Sequence, residues 1–186
     1  MHWADYTAQR LMERGDEQVS ASGITPSGEF HIGHLREILS AEMIHRACLD
    51  AGMSSKYIFI VDSMDPLRRV YDFLSPEYEE FIGCPLAFIP APEEDGSPGN
   101  GAITYADHFL SPFLDSLEQI GVRPEVVMNH ETYERGLFAE YIDSAITNRE
   151  EIRSIIQQIS GRELPHDWFP YNPMGSGGSM DGVTVT

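Results

Sequence analysis

Gly23-Ile24-Thr25-Pro26-Ser27-Gly28-Glu29-Phe30-His31-Ile32-Gly33-His34 joins two segments of opposite character. Before it, Val19 to Ile24 is short, small and partly β-branched, the pattern of a strand. After it, Ile32, Leu35, Ile38, Leu39, Ile44, Ala47 and Cys48 recur at helical spacing until Gly52 stops the period. The turn-rich Thr25-Pro26-Ser27-Gly28 loop suits a strand that feeds directly into a helix. Tyr57-Ile58-Phe59-Ile60-Val61 then reads as a second strand, buried on both faces and ending at Asp62. Strand, helix and strand within about 45 residues make a βαβ unit with parallel pairing.

Further out, residues 2–14 place Trp3, Tyr6 and Leu11 on one side of a helix that Gly15 stops. Ser75-Pro76-Glu77 predicts an N-cap with proline in the first turn of a short helix reaching Phe81. Pro90 to Gly101 has no apolar partner for a core and predicts a mobile surface loop. Phe109, Leu110, Phe113, Leu114, Leu117 and Ile120 predict a helix kinked at Pro112 and closed by Gly121. Val126-Val127-Met128 predicts a third buried strand. Leu137, Tyr141, Ile142, Ile146, Ile152, Ile155, Ile156 and Ile159 predict one long helix, apolar side inward, ending at Gly161. The tail from Tyr171 to Thr186 turns at Gly175-Ser176-Gly177-Gly178-Ser179 and predicts a β-hairpin. The expected fold class is α/β, with three parallel strands forming half of a doubly wound sheet. The open side of such a sheet calls for more chain or for a second copy.

The composition narrows the function. The 186 residues carry 12 Lys plus Arg against 30 Asp plus Glu, a formal charge of −18, so the chain repels phosphate backbones and suits either a small cationic substrate or a larger assembly that carries the basic surface elsewhere. An apolar fraction of 41% supports a packed core rather than disorder. Cys48 and Cys84 are too few for a disulfide framework or a four-cysteine zinc site. No apolar run approaches the roughly 20 residues that span a bilayer, and the first residues do not form a signal peptide, so the expected setting is cytoplasmic with no membrane partner.

The chemistry concentrates where the first strand meets the first helix, the place where such sheets bind phosphates. His31 and His34 flank the helix start, and Gly33 removes side-chain bulk where a nucleotide would approach. Their N–H groups suit charge building up on phosphates. A His-x-x-His pair at a helix start also serves as a cap or a partial metal site, and four residues alone do not choose between these roles.

The wider pattern does choose. His31-Ile32-Gly33-His34 after a glycine- and proline-bearing turn is similar to the ATP motif of class I aminoacyl-tRNA synthetases. His2-Trp3-Ala4-Asp5, the Ser22-to-Gly28 loop, Leu35-Arg36-Glu37, Asp62 to Arg69, Tyr105-Ala106-Asp107-His108-Phe109 and Glu131-Thr132-Tyr133-Glu134-Arg135-Gly136 resemble the class I lysyl-tRNA synthetases, in order along nearly the whole chain.

The resemblance implies lysine activation with ATP to lysyl-adenylate, followed by charging of tRNA(Lys). It implies catalytic roles for His31 and His34, and an ATP site of Pro26, Ser27, Gly28, His31, Ile32, Gly33 and His34. It also implies a lysine site of Gly23 and Thr25, to which the crevice position of Asp62 adds Asp62 and Asp65 as carboxylates for the ammonium group, with loop capping as the other role open to Asp62. Magnesium would arrive with ATP rather than in a protein cage, and neither zinc nor another resident metal is expected. The sheet would be the N-terminal half of a Rossmann-like, HUP-type domain over residues 1–165, with 166–186 opening an insertion or hairpin segment. Departures matter as well. A Lys-Met-Ser-Lys-Ser loop is absent, since Lys56 is the only lysine. The second half of the sheet and the helical domain that reads tRNA are absent too, so tRNA binding is expected only through further chain. The rival readings are a related synthetase for glutamate and a non-catalytic paralogue that binds lysine or an aminoacyl-adenylate.

Overall fold

A computed structural model describes residues 1–183, and Thr184–Thr186 lie outside it. Three parallel strands, β1 (Glu17–Ile24), β2 (Ser54–Val61) and β3 (Glu125–Met128), form one sheet in the order β1-β2-β3. Ile24 pairs with Val61 and Val61 with Met128, so all three strands end level with one another. That shared carboxyl edge is where an open α/β sheet places ligands.

Helix α1 (Trp3–Met12) precedes β1, α2 (Ile32–Asp50) makes the crossover from β1 to β2, and α3 (Tyr105–Gln119) belongs to the crossover from β2 to β3. Ile38 and Ala41 of α2, Tyr57, Phe59 and Val61 of β2, and Leu110, Phe113 and Leu117 of α3 form the central core. Ala4 and Ala8 of α1 pack against Ala47 and Cys48 of α2, small residues that let the two helices approach closely. Cys48 is fully buried there. Tyr57 is the polar member of the core. Its hydroxyl donates to the Ile38 carbonyl at 3.2 Å and lies 2.8 Å from Ser22 Oγ, and burial pushes its pKa up to about 12.

The sheet is less buried than its apolar runs suggest. In β2 only Tyr57, Phe59 and Val61 are buried, while Ile58 and Ile60 on the other face are half-buried. In β3 no residue is buried and Val126 is exposed, because β3 is an edge strand of four residues.

Further expectations change. The long helix predicted up to Gly161 breaks at Asn148 into α5 (Ala139–Thr147) and α6 (Arg149–Ser160), after a short α4 (Asn129–Glu134). Asn148 sits at φ −100° and ψ 19°, and its side chain donates to the Ser144 carbonyl at 2.8 Å, closing the first helix on itself. Neither helix has a buried residue, and Leu137, Tyr141, Ile155 and Ile159, expected inward, are exposed. Pro112 lies inside α3, with the buried Phe109 and Leu110 before it and Phe113 after it.

The Pro90–Gly101 segment is folded back on itself. Pro90 bridges Thr104 and Pro92 bridges Pro98. Gly96, at φ +81°, accepts from Ser75 N–H at 2.9 Å, and a Cβ there would stand 2.5 Å from the Phe73 carbonyl, so only glycine fits. Within the tail, Gly175 N–H reaches Ser179 O at 2.9 Å and makes the predicted turn, but residues 171–183 form no strand. Pro173 lacks a ladder donor, and Met180 N–H bonds instead to the Gly83 carbonyl at 2.8 Å. The remainder of the predicted hairpin falls outside the described residues.

Candidate functional site

The loop from Ile24 to His31 is fixed from beneath before any ligand is considered. Pro26 is fully buried. Ser27 N–H bonds to the Thr25 carbonyl at 2.9 Å, and the buried Tyr105 hydroxyl donates to the Ser27 carbonyl at 2.8 Å. The chain therefore enters α2 along one defined path.

At the helix start His31 is the N-cap. Its Nδ1 accepts from Gly33 N–H at 3.0 Å, and His34 Nδ1 accepts from His31 N–H at 3.0 Å, a reciprocal capping box made of two imidazoles. The two rings stack with centroids 3.9 Å apart. With both Nδ1 atoms used as acceptors, each neutral ring carries its proton on Nε2. Two N–H donors are thus preorganised beside the positive end of a 19-residue helix. Partial burial and then the neighbouring His31 lower the His34 pKa, while Glu37 opposes that shift. The cap as built requires glycine at position 33, since a Cβ there would stand 2.8 Å from His31 Cε1.

The carboxylates lie at the adjoining strand ends. Thr25 Oγ1 donates to Asp65 Oδ2 at 2.6 Å, and Arg68 Nη2 meets the same oxygen at 3.5 Å. Asp62 receives a long contact of 3.5 Å from Asn129 Nδ2. Its pKa is raised, first by burial and then by Asp65 and Glu37. A Cβ on Gly23 would lie 3.5 Å from Asp62 Oδ2, which places that carboxylate over the Gly23 backbone. Glu37, one turn along α2 from His34, accepts from Gly23 N–H at 3.2 Å. Behind them Ser63 Oγ accepts from His130 N–H at 3.1 Å and lies 2.8 Å from His130 Nδ1, tying the end of β2 to the start of α4.

Gly23, Thr25, Ser27, His34, Glu37 and Arg68 border a cleft of about 340 Å³. A larger cavity of about 840 Å³ lies between Glu29, Phe73, His108 and the loop at 91–103. It holds no residue from a strand end, and so size and chemistry point to different places. The smaller cleft has the chemistry. The family description "tRNA synthetases class I (K)" matches residues 1–186. The chain belongs to the class I lysyl-tRNA synthetases.

Among curated proteins, it is 42% identical to lysine–tRNA ligase 1 of Methanosarcina acetivorans over 173 residues, 93% of this chain and 31% of that protein. It is 44% identical to the lysine–tRNA ligase of Archaeoglobus fulgidus, over 94% of this chain and 34% of that one. For the lysine–tRNA ligase of Picrophilus torridus the values are 39%, 100% and 35%. The chain thus spans about a third of the length of the curated relatives it matches.

Of the synthetase residues expected from sequence, Gly23, Thr25, Ser27 and His34 border the cleft, and Asp65 is bonded to Thr25. His31 joins through its stack on His34. Four stand apart. Pro26 is a buried support. Gly28 faces the Phe73 ring, which a Cβ would meet at 3.5 Å. Ile32, 79% exposed, and Gly33 lie with Trp3, Leu35 and Met43 along a separate apolar groove on the outer side of α2. Glu37, Tyr105 and Asn129 were not expected. For Glu37 a signal existed, because positions i and i+3 share a helix face and His34 had been singled out. Among the described residues no group of three or more His, Cys, Asp or Glu is arranged to hold a metal, and no helix is long and apolar enough to cross a membrane.

Proposed function

We propose that this chain carries the lysine- and ATP-binding part of a lysine–tRNA ligase. The amino-acid carboxylate attacks the α-phosphate of ATP, giving lysyl-adenylate and pyrophosphate, and the lysyl group then passes to tRNA(Lys). The observation that carries the reading is a cleft bordered by His34 and Glu37, with His31 stacked on His34, Asp65 bonded to Thr25 and Asp62 over Gly23 at its edge. His31 and His34 offer Nε2–H to phosphate oxygens as charge builds there. Asp62, Asp65 and Glu37 supply negative charge for an ammonium group, and the like-charge contacts that raise the Asp62 pKa are relieved when a cation enters. Gly23 and Thr25 keep the floor of that region narrow and polar. Magnesium enters as part of the ATP substrate, in keeping with its preference for phosphate oxygens and water.

Residues 1–165 act as the N-terminal part of the catalytic domain, and 166–186 begin the segment that follows. With a net charge of −18, this third of the enzyme offers poor purchase to an RNA backbone, so tRNA docks through the remainder of the protein. Lysine-dependent pyrophosphate exchange by the chain alone is correspondingly slow. Thermal melts with L-lysine, L-glutamate and ATP test the reading. Lysine raises the melting temperature, and more so with ATP present, whereas glutamate does not. Stabilisation by glutamate and not by lysine would reassign the amino acid.

A further inference from the structure

Glu37 borders the cleft and Asp62 and Asp65 stand beside it, yet an α-amino acid presents a carboxylate as well as ammonium groups. Arg68 is the one basic side chain among the charged residues bordering it, alongside Glu37 and near His34. Its contact with Asp65 is a single 3.5 Å approach rather than a two-point fork, and its side chain is 74% exposed. Asp65 Oδ2 is in any case already taken by the Thr25 hydroxyl at 2.6 Å. Most of the guanidinium donors therefore remain for a ligand. Arg69 is not equivalent, because it lies over the Tyr71 ring at 5.2 Å.

We propose that Arg68 binds the substrate carboxylate and positions it for attack. This rests on the cleft being the amino-acid site. Asp65 holds Arg68 at the cleft wall, and the outward edge of the guanidinium takes the carboxylate through charge-assisted hydrogen bonds. One carboxylate oxygen then bonds to the α-phosphorus as the bond from phosphorus to the pyrophosphate oxygen breaks, and the electron pair leaves with pyrophosphate. Arg68 stays protonated throughout, so it orients the nucleophile without taking its charge away by proton transfer.

The experiment is calorimetric titration of the chain with L-lysine and with L-lysinamide, which keeps both amines and lacks the carboxylate. Wild-type protein binds lysine more tightly than lysinamide, by a factor on the order of ten to a hundred. In Arg68→Gln lysine falls to the level of lysinamide, while lysinamide binds as well as before or better because a nearby positive charge is gone. Arg68→Lys restores part of the preference, since it keeps the charge and loses the fork. An unchanged lysine-to-lysinamide ratio in Arg68→Gln overturns the assignment. A fall in ATP affinity with that ratio unmoved also overturns it, and makes Arg68 a phosphate contact. If wild-type protein binds neither amine, the amino-acid site itself is misplaced and the inference falls with it.

Discussion

His31 and His34 hold each other in place: each Nδ1 accepts a backbone N–H from the turn that the other belongs to, and the rings stack at 3.9 Å. Capping and phosphate binding are usually rival explanations for histidines at a helix start. Here they use different nitrogens of the same rings. The cap consumes Nδ1 and thereby fixes the proton on Nε2, which is the atom left to meet a ligand.

Gly33→Ala tests this coupling. Alanine is the better helix former by up to about 1 kcal/mol, so propensity alone predicts a gain in stability. The added Cβ would stand 2.8 Å from His31 Cε1, however, and the ring must leave its cap. The expected outcome is a melting temperature near that of wild type with nucleotide affinity reduced at least tenfold. Long-range ¹H–¹⁵N spectra should show His31 losing its fixed Nε2–H tautomer. Unaltered spectra would mean that the ring tolerates the methyl group.

Tyr105→Phe removes the hydroxyl that holds the Ser27 carbonyl at 2.8 Å from a fully buried ring. Losing one buried hydrogen bond and leaving its acceptor unmet costs roughly 1–3 kcal/mol. Chemical denaturation should show that loss, and hydrogen exchange should show faster opening of the loop from Thr25 to Gly28. Full stability would show that the carbonyl finds another donor.

Parts of this arrangement could be read from the chain and parts could not, for physical reasons. The β1–loop–α2 unit was legible because strand pattern, turn residues and helical period change within twelve positions. Tyr105 and Ser27, or Ser63 and His130, meet across 78 and 67 residues, and no local pattern encodes such contacts. The break at Asn148 was hidden because the apolar period runs on across it, and the exposed Leu137, Tyr141 and Ile159 show that amphipathic spacing predicts a face without saying what covers it. The Pro90–Gly101 segment was legible only in part. Its composition is that of a surface loop, and no local pattern encodes the bonds that fold it back, Glu93 N–H to Ser97 O and Gly99 N–H to Ala91 O, or the one from Ser75 N–H to Gly96 O.

Asp62→Asn should separate stability from binding. Burial and the nearby Asp65 and Glu37 raise the folded-state pKa of Asp62 above the ordinary value of 3.8. A raised acid pKa means that ionisation opposes folding. The associated stability is complete below 3.8 and is lost as pH climbs through the raised value. The asparagine variant escapes that loss. It should therefore melt higher than wild type at pH 7, with the gap closing as the pH is lowered toward 4. Lysine affinity should fall in the same variant. A lower melting point at pH 7 would show that the charged form of Asp62 is held by a partner stronger than the 3.5 Å Asn129 contact.

Glu37→Gln probes the residue that sequence reading overlooked. The amide oxygen can still accept from Gly23 N–H, so the fold should be kept and the melting temperature at pH 7 unchanged or slightly raised, as less repulsion acts on Asp62. Only the charge is lost. Glu37 raises the pKa of both His34 and Asp62, so its neutralisation should lower both titration midpoints, followed by NMR on the histidine ring and the carboxyl carbon. The two shifts share a sign although one group is a base and the other an acid, because a nearby negative charge favours the protonated form of each. Lysine binding should weaken by about tenfold or more, the usual scale for one lost charge-assisted contact. Midpoints that stay put would show that the Glu37 carboxylate turns away from both groups in solution, and its place in the ammonium site would then be lost as well.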